Sequence, residues 1–214
     1  MKKIVIGTIL STSLWLSACS LGTSAQDQLT NNLTKVYEEE QGYRDAQKEM
    51  PELEKKEQST FNAVMEMTQE QKEEVAAKAT ELNASVQDRL ELLEKENESI
   101  QAAFSSMSSF DGLIEDTKEK DVKKSLTSLK DSMEERYEAH EVVYDEYQNL
   151  TSLQTELYNM LPEEETEQAH LQEQVAKVNA QNELVQSAID AFNEATKKVN
   201  ETKKSVYDLL NEEN

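Results

Sequence analysis

A heptad pattern of apolar positions is the clearest feature of this sequence, and it is most regular near the C-terminal end. Between residues 171 and 210, one stripe of positions recurs at alternating steps of four and three residues. Its members are Leu171, Val175, Val178, Asn182, Val185, Ile189, Phe192, Thr196, Val199, Lys203, Val206 and Leu210. A period of about 3.5 residues is typical of helices that pair along a narrow seam with left-handed supercoiling. The pattern therefore predicts a long helix from about residue 164 to residue 210.

The same period recurs in two earlier segments, each followed by a helix-breaking residue. The segment 122–161 stops at Pro162, and the short connection to the last segment implies that the two helices are antiparallel neighbours. The segment 75–110 is expected to end at Asp111-Gly112, because glycine readily takes the left-handed conformation at a helix C-terminus. We expect the polar stretch 117–124 to lie in the connection rather than in the core.

The first segment, 29–64, is less regular. It contains Pro51, which predicts a break or kink of the helix there. Thr68 and Gln71 have the spacing of a capping box, so we place a hairpin just before them. If the chain instead continued straight through this point, the arrangement would be a three-helix, spectrin-like one.

These four segments predict an all-α fold. We expect an elongated, antiparallel, up-and-down bundle of four long helices with left-handed coiled-coil packing, formed by residues 27–214 as a single domain. Turn residues are scarce, with four glycines and two prolines in 214 residues, and this disfavours sandwiches, Rossmann sheets and phosphate-binding loops.

Charge narrows the range of partners. The chain has 44 acidic and 22 basic residues, which gives a formal net charge of −22. Phosphate binding needs clustered lysine and arginine, so we expect no nucleic-acid partner.

The N-terminus has the pattern of an export signal. Lys2-Lys3 precedes the apolar stretch 4–16, which is too short to cross a bilayer as a stable helix. The stretch ends in Leu16-Ser17-Ala18-Cys19, which resembles the lipobox of bacterial lipoproteins. That resemblance implies cleavage between Ala18 and Cys19 and a lipid on the Cys19 thiol; the alternative is an ordinary secretory signal. We therefore expect residues 1–18 to be a signal peptide and 19–26 to be a lipidated cysteine with a short tether to the membrane.

Catalytic chemistry has little support in the sequence. A di-iron bundle needs two Glu-x-x-His motifs, and Glu167 with His170 supplies one, whereas His140 is preceded at that spacing by Tyr137. Gly-rich phosphate loops and nucleophile-elbow motifs are missing from the sequence. We therefore expect neither an enzyme nor a metal or cofactor.

Several charged residues interrupt the apolar stripes and form a candidate polar layer. With the hairpins placed as above, antiparallel pairing would set Arg89 beside His140 and Glu141 at the middle of the bundle. Charged groups in such a seam most often fix its alignment, and the alternative is a small internal ligand site. The residues of this candidate layer or site are Arg89, Glu96, Arg136, His140 and Tyr144.

Four tyrosines recur at helical spacing in the third segment. We expect them to pack at the edge of the core with their hydroxyls in water, and the alternative is a platform on which a sugar stacks. They are Tyr137, Tyr144, Tyr147 and Tyr158.

Several short segments of the sequence are similar to those of a known family. The segment 136–147 reads RYEAHEVVYDEY, and it is supported by FNEATKKVN at 192–200, ELY at 156–158, LEKKE at 53–57 and LLEKE at 92–96. Together these resemble the YkyA-like family of cell-wall-binding lipoproteins from low-GC Gram-positive bacteria. The resemblance implies a helical bundle, a lipid anchor and a location on the outer face of a Gram-positive cell membrane, and it brings no catalytic residues.

We therefore expect a non-catalytic, lipid-anchored, extracytoplasmic protein that binds a cell-wall polymer or another envelope protein. Because wall polymers and this chain are both acidic, direct contact should be repulsive unless a divalent cation or a cationic group intervenes. The alternative is an acidic rod that spaces the membrane from the wall and has no specific ligand.

Overall fold

The computed structural model describes residues 24–163 and 168–212, and these residues contain helices and no β-strand. The predicted signal peptide, the cleavage site and Cys19 lie outside the described residues. The helices are α1 (Ala25–Glu39), α2 (Gln41–Met65), α3 (Lys72–Ser106), α4 (Ser109–Asp116), α5 (Lys120–Met160) and α6 (Gln168–Glu212), with a 3₁₀ turn at Gln69–Gln71. The predicted all-α, elongated helical arrangement is confirmed.

The first long helix is interrupted at Glu40, and the prediction of a break at Pro51 is wrong. Pro51 lies inside α2 on its exposed face, where solvent can replace the hydrogen bond that proline cannot donate. Glu40 leaves helical geometry instead (φ −75°, ψ 11°), between α1 and α2. Just beyond it, Gly42 packs so closely on α3 that an added Cβ would lie 2.9 Å from the Cβ of Ser99.

The predicted hairpin before Thr68 is present, so the chain folds back and does not form a three-helix arrangement. The capping box forms, with the backbone N–H of Thr68 donating to Gln71 Oε1 at 3.0 Å. Beyond it α3 runs antiparallel to α2, because Glu57 pairs with Arg89 while the earlier Gln47 pairs with the later Glu96.

The turn between the second and third long helices lies later than predicted. Asp111 and Gly112 fall inside α4, and the chain turns at 117–119 instead. Phe110 and Leu113 are both buried, and their burial holds the separate short helix α4, which contains the glycine, across this end of the bundle. An added Cβ on Gly112 would have no neighbouring atom within 4 Å, so packing does not require glycine at this position.

The interior has two large apolar clusters, with a polar zone and a small third apolar cluster between them. One cluster joins α1, α4 and the adjoining ends of α3, α5 and α6, and includes Leu29, Phe110 and Leu126. The other joins α2 to the opposite halves of α3, α5 and α6, and includes Leu82 and Leu150. The α6 stripe is confirmed for most of its apolar positions, although Asn182 is exposed. None of the described helices is long and apolar enough to cross a membrane.

Candidate functional site

Three acid–base contacts lie in the interior of the bundle; both partners are buried in two of them, and Glu40 in the third is half-buried. Arg89 pairs with Glu57, Arg136 pairs with Glu40, and His140 pairs with Glu96, at 2.8, 2.6 and 2.9 Å respectively. Each contact joins different helices, so the geometry depends on the alignment of the whole bundle.

The Arg89 contact is the most enclosed of the arginine pairs. The Arg89 side chain is 1% exposed and that of Glu57 is 4% exposed. Arg89 Nε donates to Glu57 Oε2 at 3.0 Å and Nη2 donates to Oε1 at 2.8 Å, which is the bidentate geometry that suits a carboxylate. Two groups on α5 complete the guanidinium shell: Nη1 donates to the Tyr147 hydroxyl at 2.8 Å, and Nη2 donates to Gln154 Oε1 at 2.6 Å.

This position differs from the sequence prediction, which placed Arg89 beside His140 and Glu141. Arg89 contacts Tyr147, one heptad further along α5, and Glu141 is exposed. The cause is the late turn at 117–119, because moving the centre of an antiparallel hairpin shifts the pairing of its two arms by twice that distance.

Buried tyrosine hydroxyls bond to the carboxylates of α2, contrary to the expectation that they would face water. Tyr147 donates to Glu54 Oε1 and Tyr158 donates to Glu57 Oε1, each at 2.7 Å. Burial is the largest cause that raises the pKa of both tyrosines well above the ordinary value of 10; the nearby carboxylates raise it further, and Arg89 lowers it in part. Both phenols therefore stay protonated and act as hydrogen-bond donors, not as a sugar platform.

His140 occupies the polar zone between the two apolar clusters and is 1% exposed. Its Nε2 lies 2.9 Å from Glu96 Oε1, and the other oxygen of Glu96 accepts from Gln47 Nε2 at 2.9 Å. The Nδ1 atom of His140 has no hydrogen-bond partner within the described part of the chain. The edges of Tyr43 and Phe192 pack around the ring, with centroid distances of 6.2 and 5.6 Å. The geometry fits an imidazole that donates from Nε2 to the Glu96 carboxylate.

Arg136 ties the break between α1 and α2 to α5 and α6. Its Nη1 donates to Glu40 Oε1 at 2.6 Å, and its Nε donates to the Thr196 hydroxyl at 3.0 Å. The guanidinium also lies over Phe192, 4.8 Å from the ring centroid, in a cation–π arrangement. Burial is the main cause that raises the pKa of neighbouring Tyr43 to about 12.

Tyr144 lies outside this interior, where its hydroxyl donates to Glu94 Oε2 at 2.8 Å on an exposed part of the surface. The structure thus brings Arg136, His140 and Glu96 into one polar zone, places Arg89 in a separate group, and leaves Tyr144 at the surface. The described residues contain no group of three or more histidine, cysteine or acidic side chains that could hold a metal ion.

The carboxylates of the first long helix were missed by sequence reasoning, although a signal for them was present. Counting steps of four and three through this segment gives one unbroken stripe. The stripe is Leu29, Leu33, Val36, Glu40, Tyr43, Gln47, Met50, Glu54, Glu57, Phe61 and Val64. Its polar members, Glu40, Gln47, Glu54 and Glu57, pair with groups of α3 and α5. The three glutamates accept hydrogen bonds there, and Gln47 donates to the Glu96 carboxylate.

The fold and this interior define an elongated, antiparallel helical bundle of the coiled-coil type, whose buried charges are matched across helices. Residues 24–209 match the YkyA family, which carries the description "Putative cell-wall binding lipoprotein". The chain belongs to this family, and the family name indicates association with a membrane.

Two similar proteins support the assignment. The "Uncharacterized lipoprotein YkyA" of Bacillus subtilis (strain 168) is 30% identical over 205 residues, which cover 96% of this chain and 92% of the relative. A crystal structure at 1.6 Å of a conserved protein of unknown function from Staphylococcus aureus matches with a TM-score of 0.72. That match covers 83% of this chain and 88% of the other at 19% identity, so it supports the fold alone.

Proposed function

We propose that this protein is a non-catalytic lipoprotein on the outer face of the cell membrane. A lipid on Cys19 anchors it there, and its helical bundle binds a cell-wall component or another envelope protein. The family description supports the wall-binding role, and the lipobox at residues 16–19 supports the anchor. The observation that carries the mode of binding is the closed interior. Arg89 and Arg136 both donate to protein acceptors, so a ligand of the closed bundle meets the outer surface.

The charge of that surface sets the conditions for binding. Without Lys2 and Lys3 of the predicted signal peptide, 44 acidic residues stand against 20 basic ones (22 minus 2), so the bundle has a net charge of −24 and repels acidic wall polymers. Salt screens this repulsion only beyond about 8 Å at physiological ionic strength. Contact between such a polymer and the outer surface of the closed bundle therefore requires divalent cations, whereas a protein partner requires a basic patch.

Retention on cell walls tests the proposal directly. The soluble fragment 26–214 is mixed with purified sacculi, sedimented, and quantified in the pellet with magnesium and with a chelator. We expect retention that depends on magnesium. A fragment of the same composition with its exposed charges rearranged serves as the matched control. A fragment that stays in the supernatant under both conditions contradicts wall binding.

One observation favours a second candidate, a spacer between membrane and wall. At about 1.5 Å per residue, the 45 residues of α6 form a rod roughly 65–70 Å long. A spacer needs that length and a repulsive surface, but no particular arrangement of exposed charges. Rearranging the exposed charges at constant net charge separates the candidates, because a spacer keeps its cellular phenotype and a docking surface loses it.

A further inference from the structure

The middle of α2 is held against the bundle by a buried carboxylate, with the half-buried apolar side chains of Leu53 and Phe61 on either side of it along the helix. Along its 25 residues, the buried positions are Ala46, Met50, Glu57 and Val64. Between Met50 and Val64, therefore, the one fully buried anchor is Glu57, whose carboxylate contacts Arg89. A helix with few buried apolar contacts is the kind of element that opens locally at low free-energy cost.

The groups that hold this carboxylate all come from α3 and α5. Arg89 of α3 supplies two parallel N–H donors, and Tyr158 of α5 donates from its hydroxyl to the same Oε1 atom. Two acceptors on α5 also hold the guanidinium: Tyr147 accepts from Nη1, and Gln154 accepts from Nη2, which donates to Glu57 as well. The receptor for the Glu57 carboxylate is thus built from α3 and α5, while α2 supplies that carboxylate and also Glu54, which accepts from the Tyr147 hydroxyl.

We propose that Arg89, Tyr158, Gln154 and Tyr147 form a cryptic carboxylate-binding site, which Glu57 occupies in the closed bundle and which a carboxylate of an extended acidic polymer occupies when α2 moves away. This inference deepens the proposed function and rests on it. Such a site lets an acidic protein hold an acidic polymer, because the protein's own Glu57 neutralises the buried Arg89 guanidinium until a carboxylate of the polymer replaces it.

The joints that such a movement needs are present at both ends of α2. Glu40 interrupts the helix before it, and the chain leaves helical geometry again at 67–68. α1 remains fastened independently, because Leu29 and Val36 are buried in the other apolar cluster. When α2 leaves, the Glu54 and Glu57 carboxylates return to water, which offsets part of the loss of their contacts.

Hydrogen exchange and binding to poly-L-glutamate test the site, with the soluble chain at about 0.15 M salt, where the Debye length is about 8 Å. Saturating polymer is expected to accelerate amide exchange in α2 and leave that in α5 unchanged. Glu57→Gln keeps the size of the internal occupant and removes its charge, so the polymer should bind at least tenfold more tightly, since a larger fraction of molecules is open.

The double variant E57L/R89L removes the receptor without leaving an unpaired buried charge. It should fold, as judged by circular dichroism, and lose binding of the polymer. Its matched control is E135L/K198L, which deletes an exposed pair between α5 and α6, likewise replaces one acidic and one basic residue by leucine, and makes the same change in net charge. The control should bind the polymer like the parent chain.

Each alternative result overturns the inference. Unchanged exchange in α2 at saturating polymer, equal binding by E57L/R89L and its control, or no gain in affinity with Glu57→Gln would each exclude the site. Tighter binding of polyphosphate than of poly-L-glutamate at equal charge would overturn the assignment to carboxylates. Sacculus retention that survives E57L/R89L leaves the proposed function standing and removes this inference. Arg89-dependent binding of poly-L-glutamate without sacculus retention removes wall binding instead.

Discussion

Removing Arg89 alone should destabilise the bundle far more than removing Arg89 and Glu57 together. In Arg89→Leu, the Glu57 carboxylate stays at 4% exposure and loses both guanidinium contacts, keeping only the Tyr158 hydroxyl. Breaking one side of a buried ion pair costs about 3–5 kcal/mol, because the remaining charge is desolvated without compensation. Replacing both members by apolar residues ranges from neutral to stabilising by about 1–4 kcal/mol.

Thermal and urea unfolding followed by circular dichroism measure this difference. For a domain of this size, 1 kcal/mol corresponds to about 2–4 °C in Tm, so Arg89→Leu should lower Tm by roughly 10 °C. E57L/R89L should unfold at or above the parent temperature. Equal unfolding free energies for Arg89→Leu and the parent chain would refute the buried pairing described above.

Four further outcomes follow from other parts of the chain. Cys19→Ala should shift the protein from the membrane pellet to the soluble fraction in cell fractionation, and continued sedimentation with membranes would contradict a lipid on that thiol. Gly42→Ala should lower the free energy of unfolding by about 1–3 kcal/mol, because the new Cβ would approach the Cβ of Ser99 to 2.9 Å. Gly112→Ala, which has open space around its Cβ position, should instead stabilise by about 0.5–1 kcal/mol, and a loss at Gly112 as large as that at Gly42 would refute the packing argument. The pKa of Tyr43 is raised from 10.0 to about 12 in the folded chain, so its contribution to stability is complete below pH 10 and is lost as the pH rises towards 12. Tyr43→Phe should therefore lose less unfolding free energy between pH 9 and 12 than the parent chain does.

The fold was accessible from the sequence because the apolar stripes are long. Over 171–210 the steps of four and three leave little choice but a helix paired along one seam, and the capping box at Thr68 located a turn that no glycine or proline marks. The break at Pro51 was mispredicted because proline was weighed by its backbone alone, without the exposed face on which it lies. The same bias placed a turn at Gly112, where burial of Phe110 and Leu113 holds the separate short helix α4 across the end of the bundle.

The candidate site was predicted in part. Arg89, Glu96, Arg136 and His140 interrupt apolar stripes, and the structure buries all four. Their partners were harder to assign, because pairing depends on where each hairpin turns, and an error of a few residues in a turn displaces every contact along the helices. The acidic members of the first stripe, such as Glu57, were hidden among the many exposed glutamates of an acidic chain.

The three pairs between Arg89, Arg136 or His140 and a glutamate affect which alignment of the helices is stable. An apolar stripe with a seven-residue repeat looks nearly the same after one helix is shifted along its neighbour by one heptad, which is two turns. Aliphatic contacts alone would therefore stabilise the shifted pairing of two helices nearly as well as the native pairing. Such a slip would separate Glu57 from Arg89 and Glu96 from His140, and would leave these buried groups without the partners that now satisfy them. The three pairs therefore favour the native alignment of the helices over a shifted one.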